Sequence, residues 1–443
     1  MLHFGTDGVR GVALDELTPE LARDLARAVA RVLRPTAVVV GRDTRESGPV
    51  LERAIVDGCA AEGVVVHVMG VAPTPAVAFA SERHGWVGIA ITASHNPWRD
   101  NGIKVFAAGG NKLGDNEQIE IERVWHALVT DTPTVALGSE HDAGDAVAEY
   151  AEHRARIVGQ GLSGTTIVVD CANGAMSHVA PQVLREAGAT VVAMNDSPDG
   201  RNINESCGAT HVDALVARVI AEKADAGIAF DGDGDRLIAV SGSGLVVDGD
   251  HIMAIAANDL AQRGLLRNRG IAVTVMSNLG LHRALEPLGI DVVVTPVGDR
   301  SVLAALDEYD YVLGGEQSGH IVHRAHATTG DGLLAALLLL ESLVRSRTTL
   351  DAAATIMQTY PQVLLNVRTT ERTNDPVADI ASEIAEVEAE LADDGRVLVR
   401  ASGTEPLVRV MVEAPTEDRA QACARRLADA LVALHGGAVE GTR

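Results

Sequence analysis

The sequence predicts an α/β fold of three similar units with parallel or mixed sheets, followed by a smaller α+β domain. Three observations carry this reading. Strand and helix signals alternate through most of the 443 residues, a length too great for one ordinary domain. Hydrophobic residues make up 47% of the chain but aromatics only 2%, so the core is built from Ala, Val, Leu and Ile, as in sheets covered by helices. In each of the three units a strand runs into a polar, glycine-bearing loop: Ile91 into TASHNP, Phe230 into DGDGDR, Leu313 into GGEQSGH. Ligands of such sheets gather at the carboxyl ends of strands, so three such loops suit one shared cleft.

Thr18 is a good N-cap and Pro19 suits the first helical position, which opens a helix running to about Leu33. A short buried strand at Val38 to Val40, a helix from Leu51 to Glu62, and strands at Val64 to Val68 and Trp86 to Ile91 follow. That βαβα order predicts a parallel sheet with helices over it. After a looser stretch from Thr130 to Gly144, the second unit has strands at Thr166 to Asp170, Ala189 to Met194 and Ala226 to Phe230. The third has strands at Ile271 to Met276, Asp291 to Thr295 and Tyr309 to Leu313. The last stretch reads as a strand Gln362 to Arg368, a helix Pro376 to about Leu391, strands Arg396 to Arg400 and Leu407 to Glu413, and a closing helix from Glu417. The domain bounds this implies are 1–145, 146–247, 248–360 and 361–443.

The formal charge of −24 argues against a nucleic acid or an anionic membrane as partner. A phosphorylated small molecule remains compatible, because screening lets a local cluster of Arg and Lys make one cleft positive. Cys59, Cys171, Cys207 and Cys423 show no metal or redox spacing and read as reduced thiols. No basic region with an apolar core opens the chain and no apolar run would cross a bilayer, so a cytoplasmic location is expected. A homodimer is neither required nor excluded.

Asp231, Asp233 and Asp235 alternate with glycine directly after the apolar run Ala226 to Phe230. Carboxylates at alternate positions of a strand end can converge on one hard cation such as Mg²⁺, with Gly232 and Gly234 letting the backbone bend. A calcium loop fails on spacing, since its sixth and twelfth places fall on Arg236 and Gly242. A solvated turn is disfavoured because three crowded carboxylates repel without a cation. Ser94 sits between a buried strand and the turn imposed by Asn96 and Pro97, presenting a hydroxyl. A loop serine more commonly caps its own turn, and no esterase-type elbow surrounds this one. Only Lys104, Lys112 and Lys223 are lysines, and two of them follow Ser94 closely, a hint that an ammonium is wanted there. Residues 159–164 match a dinucleotide fingerprint letter for letter, but a helix precedes them and a strand follows, the reverse of what that motif needs.

These motifs together resemble the α-D-phosphohexomutase superfamily over essentially the whole chain. They are GTDGVRG at Gly5 to Gly11, TASHNP, DNGIK to Lys104, NINESCG at Asn202 to Gly208, DGDGDR, VGDR at Val297 to Arg300, GGEQSGH, TGDG at Thr329 to Gly332 and ASGTEPLVRV at Ala401 to Val410. Gln317 between Glu316 and Ser318, with TGDG downstream, resembles the branch acting on glucosamine phosphates; the glucose and mannose branch usually has Met there.

The resemblance implies four domains around one central cleft. The first would carry the phosphoserine loop, the second the metal loop, the third the sugar loop and the fourth a phosphate-binding loop. It further implies a phosphoserine at Ser94, and Mg²⁺ held by that phosphate with Asp231, Asp233 and Asp235. Glu316 and Ser318 would grip sugar hydroxyls, and Arg236 and Arg300 would contact substrate. Ser402, Gly403, Thr404 and Arg409 would hold the non-reacting phosphate, and glucosamine 1,6-bisphosphate would be both intermediate and activator. Lys104, Arg10 and His320 share the acid, base and stabilising roles, with Arg10 better suited to stabilise charge and His320 equally suited to contact phosphate. Two departures stand out: Ser301 follows VGDR where tyrosine is usual, and Ala401 precedes SGTEP where proline is frequent. Rival readings are a glucose or mannose phosphate mutase with the same machinery and a catalytically silent sugar-phosphate binder.

Overall fold

The structure is a computed structural model that describes residues 2–5, 8–128, 138–373, 375–402 and 406–440. The chain forms two compact units, Met1–Met276 with Gly289–Ile356, and Ser277–Leu288 with Met357–Arg443.

The first unit contains three sheets. In the first, the strand Ala37–Arg42 lies between Val65–Val71 and Val87–Ile91, all parallel. Its covering helix Pro19–Leu33 begins as expected, with Thr18 Oγ1 accepting from the Leu21 amide at 3.3 Å and Pro19 in the first turn. The sheet is nonetheless mixed, because Asp100–Phe106 adds antiparallel to Val87–Ile91 and Val9–Val12 adds antiparallel to that. These two strands, unread in the sequence, carry Lys104 and Arg10. Of the looser stretch from Thr130, residues up to 137 lie outside the described residues, and Glu140–Asp142 pairs onto the edge of this first sheet.

The second sheet runs Val246–Val247, Leu237–Ser241, Ala226–Phe230, Thr166–Asp170, Thr190–Met194. Its last three strands are the expected parallel ones, and Leu237–Ser241 turns back antiparallel from DGDGDR. The segment 159–164 is a turn between the helix Asp145–Val158 and a strand, as read.

The third sheet corrects two expectations. Tyr309 ends the helix Asp299–Tyr309, and the strand is Leu313–Gly315, hydrogen-bonded parallel to Gly270–Thr274. Two glycines read as loop are strand because the backbone is crowded there: a Cβ on Gly314 would stand 2.5 Å from the Ala272 carbonyl oxygen. The strand expected to reach Met276 stops at Thr274.

The second unit is built on an antiparallel sheet, Arg396–Ala401, Leu407–Glu413, Gln362–Arg368, Ala438–Glu440. Val408, Val410 and Val412 alternate inward with Val363, Leu365 and Val367 against the helix Glu417–His435. The helix expected from Pro376 to Leu391 breaks at Ile380, whose φ of −125° and ψ of 33° separate Pro376–Asp379 from Ala381–Leu391. Buried Glu413 draws in the short helix Leu279–Leu285, accepting from Arg396 Nε and the Leu279 amide, both at 3.0 Å. No described helix is long and apolar enough to cross a membrane, and all four cysteines are free and buried.

Candidate active site

The strand Val87–Ile91 ends in a tight loop at whose turn Ser94 takes φ 53°. Thr92, not Ser94, caps this turn, its Oγ1 accepting from the Ser94 amide at 2.9 Å, so the serine hydroxyl is released for other work. That hydroxyl donates to Asp231 Oδ2 at 2.6 Å and has His95 Nδ1 at 3.3 Å. Burial, with the Arg236 and Arg10 charges, lowers the His95 ring to about 4.

Two side chains that sequence reasoning missed fix the loop from behind. Arg45, wholly buried, donates to the carbonyls of Ser94 (3.1 Å), Asn96 (2.8 Å), Asp100 (2.9 Å) and Pro97, and pairs with Asp43 at 2.9 Å. Asp43 also accepts from Thr92 Oγ1 at 2.7 Å. Asn204, inside the NINESCG motif, donates to the Ser94 and Asn96 carbonyls at 2.9 and 3.1 Å. The available signal was DTRESG after the strand Ala37–Arg42, a fourth polar glycine-bearing loop at a strand end. Arg45→Met is expected to cost about 3 kcal/mol or more, because it strands a buried aspartate and four carbonyls. Urea unfolding of the variant checks this.

The three aspartates face this loop from the turn after Ala226–Phe230. Gly232 is required by close approach, since a Cβ there would come 2.7 Å from the Ser94 carbonyl oxygen, and Gly234 supplies the bend at φ 74°. Asp233 Oδ2 accepts from Thr74 Oγ1 at 2.6 Å and from Lys104 Nζ at 2.8 Å, and Asp235 Oδ2 accepts from Lys104 Nζ at 2.8 Å. Their other oxygens, Asp233 Oδ1 and Asp235 Oδ1, are buried without a hydrogen-bond partner among the described residues. Such orphaned acceptors are costly, and here one ligand atom from each of Asp231, Asp233 and Asp235 lies within 4.8 Å of the others. The trio therefore fits a hard divalent cation. Burial and the neighbouring Asp235 and Asp233 push Asp231 well above the usual carboxylate range. Asp235 is also buried, yet Lys104 and His320 hold it well below that range.

The sugar loop joins through backbone. Leu237 N donates to Gly319 O at 3.0 Å and Arg236 bridges to His320, which sets His320 Nδ1 3.6 Å from Asp235 Oδ2 and Nε2 3.7 Å from Asp299 Oδ2. Burial disfavours the charged ring, but Asp235, Asp299 and Glu316 outweigh it and lift His320 to about 9. The Gly330 amide 3.2 Å from Nε2 would suit only a neutral ring, and three surrounding acids make it the weaker influence. Gly330 of TGDG is needed for space, because a Cβ would stand 2.4 Å from the His320 ring. Asp331 caps the helix Gly332–Ser346 and accepts from Tyr150 and Arg154 at 2.9 and 2.8 Å. Gln317 donates to Asp248 at 3.2 Å, so Gln317 and the TGDG stretch support the loop without lining the cavity.

Ser94, Asp235, Arg10, Arg236, Glu316 and His320 line one cavity of about 440 Å³. Ser318 is exposed and Arg300 is engaged elsewhere, with Asp115 at 2.6 Å and Gln118 at 3.0 Å. Ser402 and Arg409 belong to the second unit, Arg409 on the strand Leu407–Glu413; Gly403 and Thr404 fall outside the described residues.

An acidic trio that fits a cation beside a serine hydroxyl, walled by arginines and a histidine, has the chemistry that phosphoryl transfer needs, and the chain belongs to the phosphoglucomutase/phosphomannomutase family. Its α/β/α domains I, II and III match residues 1–130, 148–244 and 248–360, and its C-terminal domain matches 364–430. Within it, a curated phosphoglucosamine mutase of Thermobifida fusca is 52% identical, covering 96% of this chain and 97% of that one. A family member of Burkholderia thailandensis has a crystal structure with TM-score 0.80 and 26% identity, covering 98% of each chain. N-acetylphosphoglucosamine mutase of Aspergillus fumigatus, solved with GlcNAc-6P and magnesium, shares the fold at TM-score 0.69 and 17% identity, over 98% and 96% of the two chains.

Proposed function

We propose that this chain is a cytoplasmic phosphoglucosamine mutase, interconverting glucosamine 6-phosphate and glucosamine 1-phosphate to supply amino-sugar and cell-wall precursors. The observation that carries it is Ser94 Oγ held 2.6 Å from Asp231 Oδ2 in the cavity shared with Glu316 and His320. In the working enzyme Ser94 carries phosphate. In the first transfer its P–Oγ bond breaks and a P–O bond to the free sugar hydroxyl forms, that hydroxyl losing its proton to a base. The resulting glucosamine 1,6-bisphosphate turns over, its other phosphoryl group returns to Ser94 Oγ, and the leaving sugar oxygen takes up a proton.

Asp231, Asp233 and Asp235 would hold Mg²⁺, which when bound neutralises charge on the transferring phosphoryl group. His320, charged at neutral pH, suits proton donation or a phosphate contact better than proton removal, and Lys104, which donates to Asp233 and Asp235, serves as base only after giving up one of those protons. Arg10 and Arg236 stabilise phosphoryl oxygens, and Glu316 with Ser318 bonds sugar hydroxyls. Arg300 turns from Asp115 to substrate. Ser402, Gly403, Thr404 and Arg409 anchor the distal phosphate. The four domains divide at 1–145, 146–247, 248–360 and 361–443.

The test is kcat/KM for glucosamine 6-phosphate, glucose 6-phosphate and mannose 6-phosphate. A site built to bond a particular polar group rejects an analogue lacking it by orders of magnitude. Preference for either plain hexose moves the chain to the glucose or mannose branch, and no turnover of any makes it a binder. Arg409→Ala is expected to lower both transfers about 10²-fold, because the anchor positions the reacting end. It should also release the bisphosphate more often. Added glucosamine 1,6-bisphosphate should then restore activity, and rescue failing while monophosphate affinity stays normal removes Arg409 from this role.

A further inference from the structure

We propose a second metal site, for a borderline divalent ion of the zinc class, formed by His3, Glu122 and His126. Glu122 and His126 stand one turn apart on the helix Asp115–Leu128, so their side chains share a face. The N-terminal segment lies across that face and places His3 Nδ1 2.7 Å from Glu122 Oε1, with the His3 and His126 rings 5.9 Å apart and nearly perpendicular. One ligand atom from each of the three lies within 4.8 Å of the other two. Ligand atoms around one tetrahedral zinc sit roughly 3.3 Å apart, a closure that exposed His3 can supply by rotating.

Two imidazoles and one carboxylate, with a fourth position left to water, are a donor set that prefers zinc to magnesium. The Asp231, Asp233 and Asp235 trio, all oxygen, prefers the reverse. The surroundings suit a rigid half-site. Trp125, buried, anchors the helix by donating to the Leu21 carbonyl at 3.0 Å and stacks beside His126, and the Leu2 carbonyl stands 3.5 Å from His126 Nε2. Without a metal, the His3 and Glu122 contact is an exposed pair, worth little by itself. His3 also lines the cavity that holds Ser94 and Arg10. A bound ion would therefore fasten the segment leading into Gly5 and fix one wall of the candidate active site.

The inference stands apart from the sugar specificity of the enzyme. Full-length protein freed of metal, then kept in excess Mg²⁺ to fill the aspartate trio, is titrated with Zn²⁺ against a chromogenic chelator. One equivalent is expected to be retained, with at least tenfold weaker affinity in each of His3→Ala, Glu122→Gln and His126→Ala. The melting temperature of the parent should rise with Zn²⁺, and that of His3→Ala should not. His3 is exposed and Glu122→Gln keeps shape, so both variants fold even if His126→Ala does not. The buried cysteines are not competing surface ligands. No retained equivalent, or undiminished affinity in any folded variant of the three, overturns the site.

Discussion

Ser94→Ala is expected to lower kcat for glucosamine 6-phosphate by about 10⁴-fold or more, the scale of losing a nucleophile. Nothing else in the cavity replaces it. Asp231 Oδ2 lies nearest, at 2.6 Å, but belongs to the cation trio, and His95 Nδ1 stands 3.3 Å from the hydroxyl it would have to replace. The change removes one hydroxyl from a loop whose shape is held by Arg45, Asn204 and Thr92, so the melting temperature should move little. Intact-mass measurement of the active parent should show one phosphoryl group that phosphatase removes along with activity. Full activity without that group, or an active Ser94→Ala protein, sinks the mechanism.

Asp231→Asn is expected to reduce turnover about 10³-fold while leaving the metal-free protein as stable as the parent, or more so. The two effects separate because they have different causes. Turnover falls because a hard cation loses a charged ligand beside the transferring group. Stability does not fall, because Asp231 is a buried carboxylate crowded by Asp235 and Asp233, whose ionisation the fold resists. Asn can keep its oxygen as acceptor for the Arg236 amide and turn its NH₂ to donate to Ser94 Oγ, so both contacts are retained with one reversed. Two melting curves per protein, with and without Mg²⁺, and a steady-state rate test this. Mg²⁺ should raise the melting temperature of the parent far more than that of Asp231→Asn, and equal shifts with a near-normal rate would remove the metal role.

The sequence by itself determined the α/β class, the succession of strand and helix segments, and the motifs at their strand ends. The helix from Pro19 to Leu33, the strands Thr166–Asp170, Asp291–Thr295 and Gln362–Arg368, and the loops bearing Ser94, Asp231, Glu316 and His320 were legible because each rests on local information: caps, apolar runs, and glycine within a few residues. Lys104 was legible through the scarcity of lysine, although its strand was not. Antiparallel additions such as Asp100–Phe106 are fixed by partners distant in the chain, and the pair Gly314 and Gly315 is strand only because neighbouring backbone comes too close for a side chain. For the same reason Arg45, Thr74 and Asn204 escaped notice. Their roles exist only through contacts with Ser94, Asn96 and Asp233, which lie 49 to 159 residues away. Tertiary structure alone decided that Oδ2 of Asp233 and of Asp235 is spent on Lys104, with Thr74 also on Asp233, while Oδ1 of each is left without a hydrogen-bond partner among the described residues. Those buried, unpartnered oxygens suit the site to a cation.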